Sequence, residues 1–247
     1  MAIETFPITL AKAVKLSPSV THFYFTLAPD ADFSFVPGQF ITLLLPHEEK
    51  TLKRSYSVAS IPDNAEPNTI EFAAGYVAGG PASERLFNMQ PGETLTASGP
   101  FGRLVLLPEH PKRYILVATS TGITPYRAMI PQLRNFLAAD NSHEVIVLEG
   151  VQHREDALYL DDWLALADNY PNFTLRMHYS RETLTDNKAP YEHAGYVQTA
   201  FEKLALDPSQ DVVYLCGNPQ MIDDAFARLK DLGFTPHGVK REKYISR

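Results

Sequence analysis

The sequence predicts two domains of different build: an antiparallel β-sandwich or barrel over residues 1–110, then a doubly wound parallel α/β sheet over residues 111–247. A length of 247 residues fits two domains at roughly 100–200 residues each. Up to Leu107, short runs of β-branched and aromatic residues are punctuated by turn signals, the pattern of closely spaced antiparallel strands. Beyond Pro108-Glu109-His110-Pro111 the rhythm changes to continuous apolar runs alternating with helical stretches. A parallel sheet covered on both faces reads that way.

In the first half the predicted strands include Thr21–Leu27, Gln39–Leu45, Thr69–Ala73 and Glu93–Ala97. Pro29-Asp30, Pro37-Gly38, Pro62-Asp63-Asn64, Gly79-Gly80-Pro81 and Pro91-Gly92 separate them, since proline presets φ and glycine supplies left-handed turns. Only Ala82–Met89 reads as helix there. In the second half Tyr114–Ala118 is an unbroken apolar strand. A helix from Pro125 to about Ala139 follows, then strand Glu144–Leu148, a helix over Asp156–Asp168 and strand Phe173–Tyr179. Tyr196–Leu204 reads as helix, Val212–Cys216 as strand and Pro219–Leu232 as helix. Thr183–His193 is polar and irregular, the pattern of a surface loop.

Composition removes several classes of function. Lys and Arg number 22 against 29 Asp and Glu, a net charge of −7, which argues against a general nucleic-acid binder whose affinity rests on cations. A hydrophobic share of 45% with 21% charged residues is globular rather than disordered. No apolar run approaches the roughly 20 residues that span a bilayer. The start, Met1 to Pro7, has no basic segment followed by an apolar stretch, so no secretory signal and a cytoplasmic location are expected. A monomer without membrane or nucleic-acid partners is expected. Cys216 is the single cysteine, which excludes an internal disulfide, a Cys-based zinc site and an iron–sulfur cluster held by four cysteines of this chain. The eight histidines include no i, i+4 pair, so no metal is assigned. Ser57 and Ser120 lack the Gly-x-Ser-x-Gly elbow of a hydrolase.

Ligands of open parallel sheets bind beyond the carboxyl ends of the strands. There the first strand of the second half runs into Thr119-Ser120-Thr121-Gly122-Ile123-Thr124-Pro125. Thr124 suits a helix N-cap and Pro125 the first helical position, and the free N–H groups of such a start attract a phosphate. An unliganded, well-capped βα turn has the same sequence. Arg54-Ser55-Tyr56-Ser57 offers a guanidinium for a phosphate, a ring for stacking and a hydroxyl for a ring nitrogen. On a regular strand Arg54 and Tyr56 share one face and Ser57 takes the other, so by spacing alone an edge strand with an exposed Arg fits better. Ser180-Arg181-Glu182 follows the third parallel strand, where a dinucleotide site selects its ribose, and a hydroxyl with a guanidinium suits a 2′-phosphate, while Arg181 on its own reads as a solvated loop charge. Cys216 lies beside Gly217 at a strand end and reads either as buried packing or as a contact to a flat ligand. The basic tail from Lys240 to Arg247 is either a frayed end or a docking patch for an acidic partner.

Taken in order, these motifs resemble the ferredoxin–NADP⁺ reductase family across nearly the whole chain. Arg54-Ser55-Tyr56-Ser57 is similar to the family's Arg-x-Tyr-Ser flavin signature, and Gly80-Pro81-Ala82-Ser83 to its Gly-x-x-Ser motif. Gly99-Pro100-Phe101-Gly102 resembles a family turn after the last barrel strands. Thr119 to Pro125 resembles the nucleotide loop Thr-Gly-x-Gly-hydrophobic-x-Pro, with Ser120 in place of the middle Gly. Gly150-Val151 with Leu158-Tyr159 resembles the next loop, Ser180-Arg181-Glu182 with Tyr196-Val197-Gln198 the 2′-phosphate site, and Cys216-Gly217 the motif near the nicotinamide.

The resemblance implies an N-terminal FAD-binding barrel and a C-terminal NADP(H)-binding α/β domain. Arg54 would hold the FAD pyrophosphate with Gly80 and Ser83, Tyr56 would cover the flavin ring, and Ser57 would approach its N5. Thr121 and Gly122 would meet the NADP(H) pyrophosphate. Ser180, Arg181, Tyr196 and Gln198 would form the adenosine end, and Cys216 would touch the nicotinamide. Glu242-Lys243-Tyr244 has the Glu-x-Tyr spacing of family members whose tail ring covers the flavin, making Tyr244 the expected gate. Ser57, Cys216, Glu242 and Tyr244 are thus the expected catalytic residues. A Lys frequent two places before the adenine-site Tyr is Ala194 here. The implied activity takes hydride from NADPH to FAD and passes single electrons to ferredoxin or flavodoxin, an acidic one-electron carrier. An NAD(P)H-dependent flavin or oxygenase reductase with another acceptor is the alternative.

Overall fold

The computed structural model describes residues 4–31, 33–62, 68–107 and 111–244. Of the predicted features, the 108–110 junction, the Asp63-Asn64 turn and the terminal Ile245-Ser246-Arg247 lie outside the described residues. The chain forms two compact units, one of residues 1–106 with 124–131 and one of residues 107–123 with 132–247.

The first unit is a six-stranded antiparallel sheet. Its strands are β1 (Thr5–Lys15), β2 (Val20–Thr26), β3 (Phe40–His47), β4 (Lys50–Ser57), β5 (Thr69–Gly75) and β6 (Thr94–Phe101), with helix α1 (Pro81–Phe87) between β5 and β6. They lie in the order β4-β3-β6-β1-β2-β5. The sheet curls until its two ends meet, where Ala59, just past β4, donates its N–H to the Glu71 carbonyl of β5 at 2.7 Å. One face of every strand fills the centre. Ile8, Leu10, Phe23, Phe25, Ile41, Leu43, Ile70 and Phe72 are all buried, as period-two alternation requires. Gly99 to Phe101 end the last strand, so the Gly-Pro-Phe-Gly turn expected after it begins only at Gly102.

The second unit holds strands β7 (Arg113–Thr119), β8 (Glu144–Val151), β9 (Phe173–Tyr179), β10 (Glu192–Ala194), β11 (Asp211–Gly217) and β12 (Val239–Lys243) in a parallel sheet ordered β10-β9-β8-β7-β11-β12. Every central residue of β7 from Tyr114 to Ala118 is buried, which is why the sequence there is apolar without alternation. The connecting helices are α2 (Thr124–Ala128), α3 (Ile130–Ala139), α4 (Leu160–Asn169) and α5 (Pro219–Asp231). Three differ from expectation. The single helix expected from Pro125 to Ala139 is two, because Pro131 has no N–H to bond back and so belongs in a first helical turn. The helix expected from Asp156 starts instead at Leu160, since Tyr159 sits at φ +57° and breaks the helical path. Tyr196–Leu204 is a 3₁₀ segment over Val197–Lys203.

Two stretches left as loop or tail are strands. Glu192–Ala194, the end of the expected loop, pairs with β9, and Val239–Lys243 pairs with β11. The tail is therefore not frayed through Lys243. Its cations are partly engaged, with Lys243 on Asp223 at 2.6 Å and Arg241 over the Phe226 ring at 3.7 Å. Among the described residues no helix is long and apolar enough to cross a membrane.

A buried charge cluster ties α2 into the first unit. Arg127 donates to the Ala59 carbonyl at 2.7 Å and to Glu71 at 3.0 Å, and Glu71 also bonds His22 at 3.1 Å. Burial pushes the Glu71 carboxyl up, but the His22 hydrogen bond and the Arg127 charge outweigh it, and its pKa lies below the usual value. Removing one partner of a buried pair leaves the other charge uncompensated. Arg127→Met is expected to cost about 3 kcal/mol in denaturant unfolding. Because the folded pKa of Glu71 is the lower one, this contribution is present above the unfolded carboxylate pKa and fades as pH falls through the folded value. The stability gap between wild type and Arg127→Met should therefore narrow in acid, and a gap constant from pH 7 to pH 3 would contradict the assignment.

Candidate functional site

Two loops at the carboxyl ends of β7 and β11 are built against each other. After β7 the chain turns at Ser120, whose φ of +48° is the left-handed region usually left to glycine, and continues as a 3₁₀ turn through Ile123. Gly122 is buried, and a Cβ there would lie 2.3 Å from the Cys216 carbonyl oxygen. Gly217, at φ +118°, would bring a Cβ within 2.5 Å of the Thr119 hydroxyl. That hydroxyl accepts the N–H of Asn218 at 2.9 Å, and the Asn218 side chain in turn accepts from Gln220 and Met221 to cap α5. The backbone N–H groups of residues 120–123 thus begin the helical path four residues before the N-cap expected at Thr124. Thr124 instead has a buried hydroxyl without a partner among the described residues.

Cys216, Glu242 and Tyr244 come together on the other side of β11. Cys216 is opposite Glu242 in the β11–β12 register and is fully buried. Tyr244 donates its backbone N–H to Gly217 at 2.8 Å, and its side chain hydrogen-bonds the Cys216 thiol. Burial pushes that thiol well above its usual range, Glu242 adds to the rise, and the Tyr244 contact opposes it. Cys216 is therefore a neutral packing and contact group rather than a thiolate nucleophile.

At the end of β9 the Ser180 hydroxyl donates to the Val151 carbonyl at 3.3 Å and the Arg181 N–H to that of Gln152 at 3.0 Å. Arg181 is exposed, and among the described residues its guanidinium has no carboxylate partner. Its neighbour Glu182 is instead drawn to Arg154 at 3.3 Å. Tyr196 is 66% exposed at the head of the 197–203 segment. Gln198 has a buried side-chain oxygen with no hydrogen-bond partner among the described residues. An exposed aromatic, an unpaired guanidinium and an orphaned amide oxygen form a donor and acceptor set suited to a phosphorylated nucleoside.

In the first unit, β4 presents Arg54 and Tyr56 on one face and Ser55 on the other, where its hydroxyl meets that of Thr42 at 3.0 Å. Ser55 thus has only its backbone to offer on the Tyr56 face. Ser57 is buried where the strand ends. Tyr56 stacks one face on Phe72 with centroids 4.7 Å apart, leaving only the opposite face for a flat ligand. Burial lifts its phenol to about 12, with Arg54 pulling the other way, so the hydroxyl stays protonated. Arg54 donates to the Lys53 carbonyl at 2.9 Å. The first turn of α1, after Gly80, has no side-chain cap, while the Ser83 hydroxyl accepts from the Val77 N–H at 3.1 Å. A guanidinium, a half-packed ring and a buried hydroxyl fit a flavin nucleotide.

Sequence reasoning passed over Thr119 and Asn218. Asn218 had a readable signal, an Asn before Pro at a helix start. Thr119 had none, because its partner is 99 positions away.

Comparisons with known proteins agree with this geometry. Residues 7–106 match an oxidoreductase FAD-binding domain and residues 116–226 an oxidoreductase NAD-binding domain. A ferredoxin–NADP reductase B of Sorangium cellulosum is 34% identical over 89% of this chain and 88% of its own length. The chain belongs to the ferredoxin–NADP reductase family. This family member is also 28% identical to a toluate 1,2-dioxygenase electron transfer component of Pseudomonas putida, of which it spans 60%. An Amycolatopsis cytochrome P450 reductase superposes with a TM-score of 0.83 at 25% identity, over 98% of this chain and 70% of that one. A Neisseria gonorrhoeae ferredoxin–NADP⁺ reductase with bound FAD and NADP shares the fold, with a TM-score of 0.82 at 22% identity over 98% and 99% of the two chains. The reductase is thus a ferredoxin reductase-type NAD(P)H flavoprotein, with an antiparallel FAD-binding unit and a parallel NAD(P)-binding unit.

The apposed loops yield a test of their own. Gly122→Ala places a methyl group against backbone that cannot swing away, and overpacking of this kind costs about 1–3 kcal/mol. The urea midpoint should fall with the slope unchanged. An unaltered midpoint would mean that the two loops are not in contact.

Proposed function

We propose that the reductase takes hydride from NADPH and passes single electrons to ferredoxin or flavodoxin. The observation that carries this reading is the unpaired Arg181 beside Ser180 at the carboxyl end of β9, a donor pair suited to a 2′-phosphate. The 34% identical relative named ferredoxin–NADP reductase B supports it. Bound FAD supplies the exchange between a hydride pair and single electrons. The protein's part is holding and positioning.

Arg54, with the open first turn of α1 and Ser83, would hold the FAD pyrophosphate, while Tyr56 would cover one ring face and Ser57 would offer a hydroxyl to the ring edge. The N–H groups of the 120–123 turn, with Thr121 and Gly122, bind the NADPH pyrophosphate. Ser180 and Arg181 take the 2′-phosphate, and Tyr196 and Gln198 take the adenine and its ribose. That distant grip supplies binding energy to displace Tyr244, whose phenol rests on Cys216, and the neutral thiol then contacts the nicotinamide. Glu242, opposite Cys216, keeps β12 and therefore Tyr244 in register. With one cysteine, these 247 residues cannot hold a four-cysteine cluster, so the one-electron acceptor lies outside them.

A second reading, an oxygenase reductase component, has support from relatives of that description at 27–28% identity. Steady-state rates with ferredoxin, flavodoxin and an oxygenase partner distinguish the two.

Purified protein should be yellow, and protein that neither carries nor takes up FAD would sink the proposal. Loss of one charge-assisted contact costs about 1.5–3 kcal/mol, so Arg181→Ala should weaken NADPH binding about tenfold or more and leave NADH binding almost unchanged. Equal losses for the two coenzymes would remove the 2′-phosphate assignment. Tyr244→Ser should raise the rate with NADH relative to NADPH, and an unchanged coenzyme ratio would argue against the gate.

A further inference from the structure

At the β10 edge of the parallel sheet lies a cavity of about 290 Å³, lined by Arg176, His178, Lys188, His193, Glu202 and Lys203 among others. The fold assembles these side chains from four places. Arg176 and His178 stand two apart on β9 and so share a face. His193 of β10 is opposite His178, and the two imidazoles stack 5.2 Å apart. The 197–203 segment contributes Glu202 and Lys203, and the loop before β10 contributes Lys188, whose ammonium bonds the Glu192 carbonyl at 2.8 Å.

Three cations thus face one carboxylate, and that carboxylate is also paired outward, with Arg228 at 3.2 Å. Among the described residues Arg176 and Lys203 are in no ion pair. His178 is 4% exposed, and among the described residues both of its ring nitrogens lack a hydrogen-bond partner. A buried polar side chain with two unused positions at the wall of a cavity calls for a ligand. Burial, then His193, Arg176 and Lys203, bring its pKa down to about 4, so near neutral pH it is an uncharged ring with one N–H to give. A metal ion does not suit this set, because three cations oppose it and, among the described residues, no three His, Cys, Asp or Glu side chains are grouped so as to hold one.

We propose that this cavity is a binding site for a phosphate-type oxyanion, free or carried on a small molecule, held by Arg176, Lys203 and a ring N–H of His178. The site uses none of the residues assigned to the coenzyme and does not depend on the electron acceptor. An anion seated there offsets the two cations, accepts the orphaned N–H and favours protonation of the paired imidazoles.

Histidine-ring NMR of the full chain with its flavin tests this, with inorganic phosphate, sulfate and glycerol 3-phosphate as probes and chloride at equal ionic strength as control. The expected result is saturable movement of the His178 and His193 signals and a rise in the His178 pKa of about one pH unit. Tighter binding of inorganic phosphate than of glycerol 3-phosphate identifies the free ion, and the reverse order identifies a phosphorylated small molecule. The double variant Arg176→Gln, Lys203→Gln changes one half-buried and one exposed side chain and should weaken binding about tenfold or more. Arg181→Ala should leave it unchanged. The proposal is overturned if chloride reproduces the shifts, if no shift saturates, or if Arg181→Ala abolishes binding that the double variant retains. The last result would assign the anion to the coenzyme site.

Discussion

The close approach of two strand-end loops is the constraint on which the nucleotide-binding unit depends. Gly122 and Gly217 carry no side chain because backbone from the opposing loop occupies the space where a Cβ would be. Thr119 then bonds Asn218, and Asn218 caps α5. One contact therefore fixes the 120–123 turn, the start of α5 and the strand end that carries Cys216. The left-handed Ser120 is the cost of turning tightly enough to bring the loops together.

Buried charge is handled differently in three places. Glu71 is ringed by His22 and Arg127, and its carboxylate is held ionised. Glu149, toward the carboxyl end of β8, accepts the Leu158 N–H, and burial pushes its pKa well above the usual range, so it is a neutral acid. His178 has no hydrogen-bond partner among the described residues and is held neutral by burial and nearby cations. The first group stabilises the fold, the second adds little electrostatically, and the third has unused hydrogen-bonding capacity beside a cavity. That difference is why the third is read as a site.

The proposed activity and the proposed anion site rest on separate residues. The residues proposed for the coenzyme follow the carboxyl ends of β7, β9, β10 and β11, where a parallel sheet gathers loops and open N–H groups. The cationic cavity lies at the sheet edge, where β10 is three residues long and a 3₁₀ segment covers it.

The sequence by itself determined the two-part build, most strands of both sheets and the motifs of the family, because these are written in local periodicity and short-range spacing. Phe173–Tyr179 is a strand with the predicted limits since its alternating apolar residues begin at Phe173 and end at Tyr179. It misjudged the break at Pro131, the left-handed Tyr159 and the strands at Glu192–Ala194 and Val239–Lys243. The last two are polar, and only pairing with a buried neighbour makes them strands. Arg54, Tyr56 and Arg181 were legible as candidate ligand residues from their type and position. Tertiary structure alone decided that the Tyr244 phenol meets the Cys216 thiol, that Thr119 holds Asn218, and that His178 faces three cations. Those partners come from distant parts of the chain, and no local pattern encodes a contact whose two halves are brought together only when the sheet forms.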